Sequence, residues 1–80
     1  MGQGYVKSRE TVALEILREL QRDSPAYTGS DVYVDAHPDV VSYFHGSQKK
    51  AFRELEKISG KKFHLRSHRD KHPEWFEIAS

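Results

Sequence analysis

The sequence of 80 residues contains no cysteine, which excludes disulfides and thiolate metal sites within it. Its fold must therefore be held together by an apolar core. It also lacks any apolar run near the ~18 residues of a membrane span and any signal-peptide segment. We therefore expect no membrane span and a location in the cytoplasm.

The sequence also has no large excess of charge of one sign, because 13 Lys and Arg residues oppose 12 Asp and Glu residues and leave a formal net charge of +1. Net charge therefore points to no particular partner, and only a local cluster would. Catalytic motifs are absent too: no Gly-x-Ser-x-Gly elbow occurs, and the glycines at positions 2 and 4 lack the third glycine of a dinucleotide loop. Four Tyr, four Phe and one Trp argue against disorder.

Three segments have helical spacing of apolar residues and three alternate as strands do. The helices are predicted to begin at Ser8, at the His37-Pro38 pair and at Ser47, and to end before Ser24-Pro25, at Gly46 and at Gly60. The first helix buries a stripe of Val12, Ala13, Ile16, Leu17 and Leu20, and the third a stripe of Ala51, Phe52, Leu55 and Ile58. The alternating segments are residues 31–36, 62–67 and 74–79.

These elements predict a two-layer α+β fold, with helices on one face of a small mixed or antiparallel sheet and the order α-β-α-α-β-β. The last two strands are separated by about six residues, which predicts an antiparallel hairpin. The first two strands are joined through helices, which permits parallel pairing. Residues 1–7 are interpreted as a linker and residues 8–80 as a single domain.

A basic cluster lies between residues 61 and 72, opposed only by Asp70. Its Lys and Arg side chains are candidate contacts to RNA phosphates, and Trp75 and Phe76 nearby offer stacking surfaces for bases. The alternative is a solvated loop above core aromatics. The candidate RNA contacts are Lys61, Lys62, Arg66, Arg69 and Lys71.

Two further spacings favour no site. His64, His68 and His72 are spaced by four residues but lie on a predicted strand and loop, where that spacing does not put them on one face. Asp31, Asp35 and Asp39 are spaced by four residues and resemble paired catalytic carboxylates. This spacing crosses a strand–helix boundary, however, so it does not place the three side chains on one face. The sequence therefore predicts no catalytic, cofactor-binding or metal-binding residue.

Two stretches carry a resemblance to a known family. The opening reads Gly2-Gln3-Gly4-Tyr5-Val6-Lys7 and continues with Glu10-Thr11; the later part reads Gly60-Lys61 and ends in Glu74-Trp75-Phe76-Glu77-Ile78. Together they resemble the C-terminal small domain of bacterial ribonucleases of the ribonuclease E/G family. In that family a Cys-Pro-x-Cys zinc link precedes the Gly-x-Gly run, whereas here Met1 precedes it. The resemblance implies that residues 1–7 are the remnant of a linker after a zinc link that is absent from this sequence.

The resemblance implies a parent endoribonuclease that cleaves single-stranded RNA in processing and decay, with catalytic magnesium and the zinc link upstream of this chain. It also implies that the small domain helps to build the oligomer. Three hypotheses follow: a module that packs against other subunits or domains of the parent, an accessory RNA-binding module that uses residues 61–72, and, ranked last, a small enzyme relying on Asp35 or His68.

Overall fold

The structure is a computed structural model that describes residues 7–80. The predicted linker therefore lies outside the described residues, apart from Lys7. The elements follow the predicted order. They are α1 (Arg9–Asp23), a 3-10 turn (Ser24–Ala26), β1 (Asp31–Ala36), α2 (Pro38–His45), α3 (Lys49–Ser59), β2 (Lys62–Ser67) and β3 (Phe76–Ala79). Within residues 7–80, no helix has the length and hydrophobicity that a membrane span needs.

Most helix ends are where the sequence predicts them. The Ser8 hydroxyl accepts a hydrogen bond from the Thr11 backbone N–H at 3.1 Å and so caps α1. Pro38 is the first residue of α2, and Gly60 ends α3 in the left-handed conformation at φ 71°. The prediction that Ser47 caps α3 is wrong by one residue. The cap is Gln48. Ser47 belongs to the turn after α2, because this turn is closed by a hydrogen bond from the Gln48 N–H to the Tyr43 carbonyl at 2.7 Å.

The three strands form a mixed sheet in the order β2-β1-β3. β1 pairs in parallel with β2, with Asp31 opposite Lys62, and antiparallel with β3, with Tyr33 opposite Ala79. The mixed sheet is confirmed, but the predicted hairpin between β2 and β3 is wrong because β1 lies between them. The physical reason is burial: Val32, Val34 and Ala36 are fully buried, so β1 gains most from the central position.

The third strand is shorter than predicted. It begins at Phe76 and not at Glu74, because the Trp75 N–H donates to the His72 carbonyl at 2.9 Å in a turn. The connection from β2 to β3 passes the end of β1, where the His68 N–H donates to the Ala36 carbonyl at 2.8 Å. This connection brings residues 68–75 over the carboxyl end of the central strand.

One apolar core joins the helices to one face of the sheet. α1 and α2 supply most of the helical side, and Phe44, Phe52 and Phe63 form a chain of ring contacts with centroids 4.8 and 5.4 Å apart. The stripe predicted for α3 is only partly correct, since Phe52 is buried but Ile58 is 75% exposed. The buried apolar residues are Val12, Ala13, Ile16, Leu20, Val32, Val34, Ala36, Val40, Val41, Phe44, Phe52 and Phe63.

Candidate functional site

Two of the predicted RNA contacts, Lys61 and Arg66, form hydrogen bonds within the domain. The first is Lys61, whose ammonium group donates to the carbonyls of Tyr27 and Gly29, each at 2.7 Å. These bonds hold the loop between α1 and β1 against the end of α3. Lys61 therefore has a structural role that its place in a basic run does not reveal.

The second engaged residue is Arg66, which forms a two-pronged ion pair with Asp35. Arg66 Nε lies 2.7 Å from Asp35 Oδ1, and Nη2 lies 3.0 Å from Oδ2. His68 Nε2 approaches the same Oδ1 at 2.8 Å, and the Asp35 side chain is only 6% exposed. The hydrogen bond from Arg66 holds the pKa of the Asp35 carboxyl below its ordinary value, because it outweighs the opposing effect of burial, and His68 adds to the lowering.

The same sheet face carries a stack of planar groups. The Tyr33 and His64 rings stack with centroids 4.9 Å apart, and the Arg66 guanidinium lies 4.7 Å from the Tyr33 centroid. His64 Nε2 in turn lies 2.9 Å from Asp31 Oδ1. These contacts lie on the face opposite Val32 and Val34, since alternate side chains of β1 point to opposite faces.

The remaining predicted contacts lie at the ends of β2. Lys62 and Arg69 are exposed and form no ion pair within residues 7–80, and Lys71 Nζ lies 5.2 Å from the Trp75 ring centroid. Trp75 and Phe76 do not form one stacking platform, because Phe76 packs against the core. Contact of these side chains with RNA stays a prediction.

The histidines and carboxylates form no metal-binding group in the described part of the chain. Residues 7–80 contain no cluster of three or more His, Asp or Glu side chains placed to hold an ion. Asp31 and Asp35 are instead each paired with a neighbouring basic side chain.

A second candidate surface is apolar and lies between α1 and α3. Leu14 is 44% exposed and Ile58 is 75% exposed, and both line a groove of about 330 Å³. Leu17, Ala51 and Leu55 complete its apolar wall. The sequence interpretation omitted Leu14. Its exposure could have been inferred from the sequence, because this leucine falls outside the buried stripe of α1. It also placed Ile58 in the core, where the structure leaves it uncovered.

The amino-acid sequence matches a family model described as the RNase E/G thioredoxin-like domain over residues 1–80. The chain belongs to the ribonuclease E/G family. The match extends over the whole chain and gives no support to the expected C-terminal position in a parent protein. The structure confirms the α+β fold expected from the sequence, and this match confirms the family; the position is not confirmed.

Curated relatives agree with this membership of the ribonuclease E/G family. Over 60 residues the chain is 40% identical to ribonuclease G of Salmonella typhimurium and 38% identical to ribonuclease G of Escherichia coli K12. The aligned region covers 75% of this chain but 12% of each relative. The chain thus spans about one eighth of the length of the ribonucleases that it matches.

Proposed function

We propose that this chain is a non-catalytic accessory domain of a ribonuclease E/G family endoribonuclease and that its α1–α3 groove packs against another domain or subunit of that parent. The parent would cleave single-stranded RNA in the processing and decay of RNA in the bacterial cytoplasm. Its magnesium and zinc ligands would lie in the part of the parent outside this chain.

The exposed apolar groove is the observation that carries this proposal. Fully burying a leucine or isoleucine side chain is worth about 1.5–3 kcal/mol, so leaving Leu14 partly and Ile58 largely exposed gives up part of that stability in the isolated domain. The groove is bordered by Gln21, Gln48 and Glu54, and a polar rim around an apolar centre is typical of protein interfaces.

The lengths of the relatives favour the parent itself as the occupant. The aligned region is 12% of each ribonuclease G, so a homologous parent would offer a large protein surface at high effective concentration. Tethering makes docking of a covalently linked domain favourable even when each contact is modest.

The test is the double substitution Leu14→Gln/Ile58→Gln in the parent protein. Both positions are exposed, so the variant chain should keep its thermal midpoint within a few degrees when purified alone. In the parent we expect a lower mass by light scattering if the groove contacts another subunit, or faster protease cleavage beside the domain if it contacts its own chain. Ser42→Gln, at an exposed position of α2, is the matched control. If mass and cleavage rate both match the unmodified parent, the proposal is wrong.

The absence of catalysis in this chain is tested separately. The purified chain should not cleave a fluorescent single-stranded RNA in the presence of magnesium. RNA cleavage that disappears in the Asp35→Asn or His68→Ala variant would overturn this part of the proposal and favour the small-enzyme hypothesis.

A further inference from the structure

A row of basic side chains lies on α3, outside the segment that the sequence singled out. Lys49, Arg53 and Lys57 are spaced by four residues and so lie along one side of the helix. At 1.5 Å per residue the row extends about 12 Å. All three are exposed, and none forms an ion pair within residues 7–80.

This row borders two adjoining grooves between α3 and β2. One groove, of about 400 Å³, is lined by Lys49 and Arg53, and the other, of about 570 Å³, by Arg53, Lys57 and Lys62. Because both grooves share Arg53 and Glu56, they form one continuous surface. We call it the α3–β2 basic groove, defined by Lys49, Arg53, Lys57 and Lys62.

The acidic side chains in the basic groove are already engaged. Glu56 Oε2 accepts a hydrogen bond from the Phe63 backbone N–H at 2.7 Å, and Asp31 Oδ1 lies 2.9 Å from His64 Nε2. Glu56 therefore satisfies an outward-facing donor of the edge strand β2, and Asp31 is paired across the sheet. Neither carboxylate forms an ion pair with the four basic residues.

Lys49–Arg53 and Arg53–Lys57 are like-charge pairs four residues apart on α3, which is unfavourable for the helix. Lys50–Glu54 has the same spacing and opposite charges, so it offsets part of this effect. Like charges four residues apart destabilise a helix by about 0.2–0.5 kcal/mol per pair. The first turn of α3 contains Lys49 and Lys50 and no acidic residue, which opposes the helix dipole. A bound polyanion would relieve both effects.

We infer that the α3–β2 basic groove binds the phosphate backbone of an RNA strand. A row of unpaired basic residues along a groove complements a chain of phosphates and does not require a particular base. The relatives are ribonucleases by name, which makes RNA the polyanion of first choice. The inference is independent of the packing role proposed for the α1–α3 groove.

The experiment measures binding of a fluorescein-labelled single-stranded oligouridylate to the 80-residue chain by anisotropy at several salt concentrations. Four phosphate contacts on a single strand predict a slope of log K against log salt of about −2.8, and loss of three contacts lowers its magnitude by about 2. We expect Lys49→Gln/Arg53→Gln/Lys57→Gln to bind at least tenfold more weakly. Its thermal midpoint should stay within a few degrees of that of the unmodified chain, because all three side chains are exposed.

The matched control, Arg18→Gln/Arg69→Gln/Lys71→Gln, removes the same number of positive charges from other surfaces and should change affinity less than twofold. An equal loss in the control would overturn the inference and point to the loop after β2 or to net charge alone. Undetectable binding by the unmodified chain at low salt would also overturn it.

Two further ligands test the chemical class. Oligoadenylate of the same length should bind within a few-fold of oligouridylate, since the backbone is the shared feature. Polyglutamate that binds as tightly as RNA at equal salt would overturn the assignment to RNA and favour an acidic protein. None of these measurements depends on the oligomeric state of the parent, so their failure is distinct from failure of the packing proposal.

Discussion

Among the described residues, Asp35 is a charged side chain that is almost fully buried. Its carboxylate is 6% exposed and receives hydrogen bonds from Arg66 and His68. A buried charge is tolerated only when it is paired and hydrogen-bonded. The ion pair also joins β1 to β2, and His68 joins the crossing connection to β1, so Asp35 stabilises the sheet at the end of its central strand.

We predict that Asp35→Asn lowers the free energy of unfolding at pH 7 by about 1.5–3 kcal/mol, the usual value of hydrogen bonds to a charged group. Chemical denaturation of the purified chain measures this difference. Asp31→Asn is the matched control, since it removes an acid from the same strand where the carboxylate is exposed. The control should cost less than about 1 kcal/mol. Equal costs for the two variants would contradict the structural role of Asp35.

The lowered pKa of Asp35 also predicts how stability depends on pH. A carboxyl whose pKa is lower in the folded state contributes stability above its unfolded pKa, about 3.9, and loses it as pH falls through the folded value. The thermal midpoint of unfolding of the unmodified chain should therefore decrease once the pH is lowered below about 4. The Asp35→Asn variant should show a smaller drop between pH 5 and pH 2. An identical pH profile in the variant would show that other groups dominate acid unfolding.

The sequence predicted the position of Asp35 on its strand but not its burial. Alternation puts Asp35 on the face opposite Val34, where a polar residue is expected to meet solvent. The structure covers it with Arg66 and His68, which are more than 30 residues away along the chain. Local periodicity contains no information about such distant partners, so the ion pair was not predictable from spacing.

Among the secondary-structure elements, α3 and its glycine cap offer the clearest test. Gly60 has φ 71°, and a Cβ there would meet no atom within 4 Å. Replacement by alanine therefore costs only the backbone strain of the left-handed conformation, about 1–2 kcal/mol. Thermal unfolding of Gly60→Ala should show that loss. Gly29→Ala is the control, because Gly29 lacks a positive φ and a Cβ there would make ordinary contacts. The free energy of unfolding of this control should lie within about 0.5 kcal/mol of that of the unmodified chain. A Gly60→Ala midpoint as high as the control would contradict the cap.

The bounds of β1 and β2 and the ends of most helices were predictable because they depend on local signals, such as the Ser8 cap, Pro38 and Gly60. Strand order was not, because the predicted hairpin rested on chain proximity alone. The structure inserts β1 between β2 and β3, since its fully buried side chains favour neighbours on both sides. The grooves of α3 were missed for a related reason: which side of an amphipathic helix is covered depends on how the other helices pack.

In the whole molecule, α3 separates the two proposed surfaces. At 3.6 residues per turn, the row of Lys49, Arg53 and Lys57 lies nearly opposite Ala51 and Ile58 around the helix. The core side of α3, with Phe52, lies between them. One helix would therefore contact RNA on one side and the parent on the other without competition.

This arrangement predicts that the two surfaces respond independently to substitution. In the isolated chain, Leu14→Gln/Ile58→Gln should leave affinity for oligouridylate within twofold. In the parent, Lys49→Gln/Arg53→Gln/Lys57→Gln should leave the mass by light scattering unchanged. A substitution that affects both readouts in a correctly folded protein would show that the surfaces overlap.

The packing role of the α1–α3 groove is tested most directly by the accessibility of Ile58. The chain contains no native cysteine, so Ile58→Cys introduces one thiol within it, and labelling of that thiol is followed by mass spectrometry of its own peptide in the chain and in the parent. We predict rapid labelling in the isolated chain and labelling at least tenfold slower in the parent, while Ser42→Cys reacts equally fast in both. Equal labelling rates for Ile58→Cys in the chain and in the parent would contradict the proposal that this groove is covered.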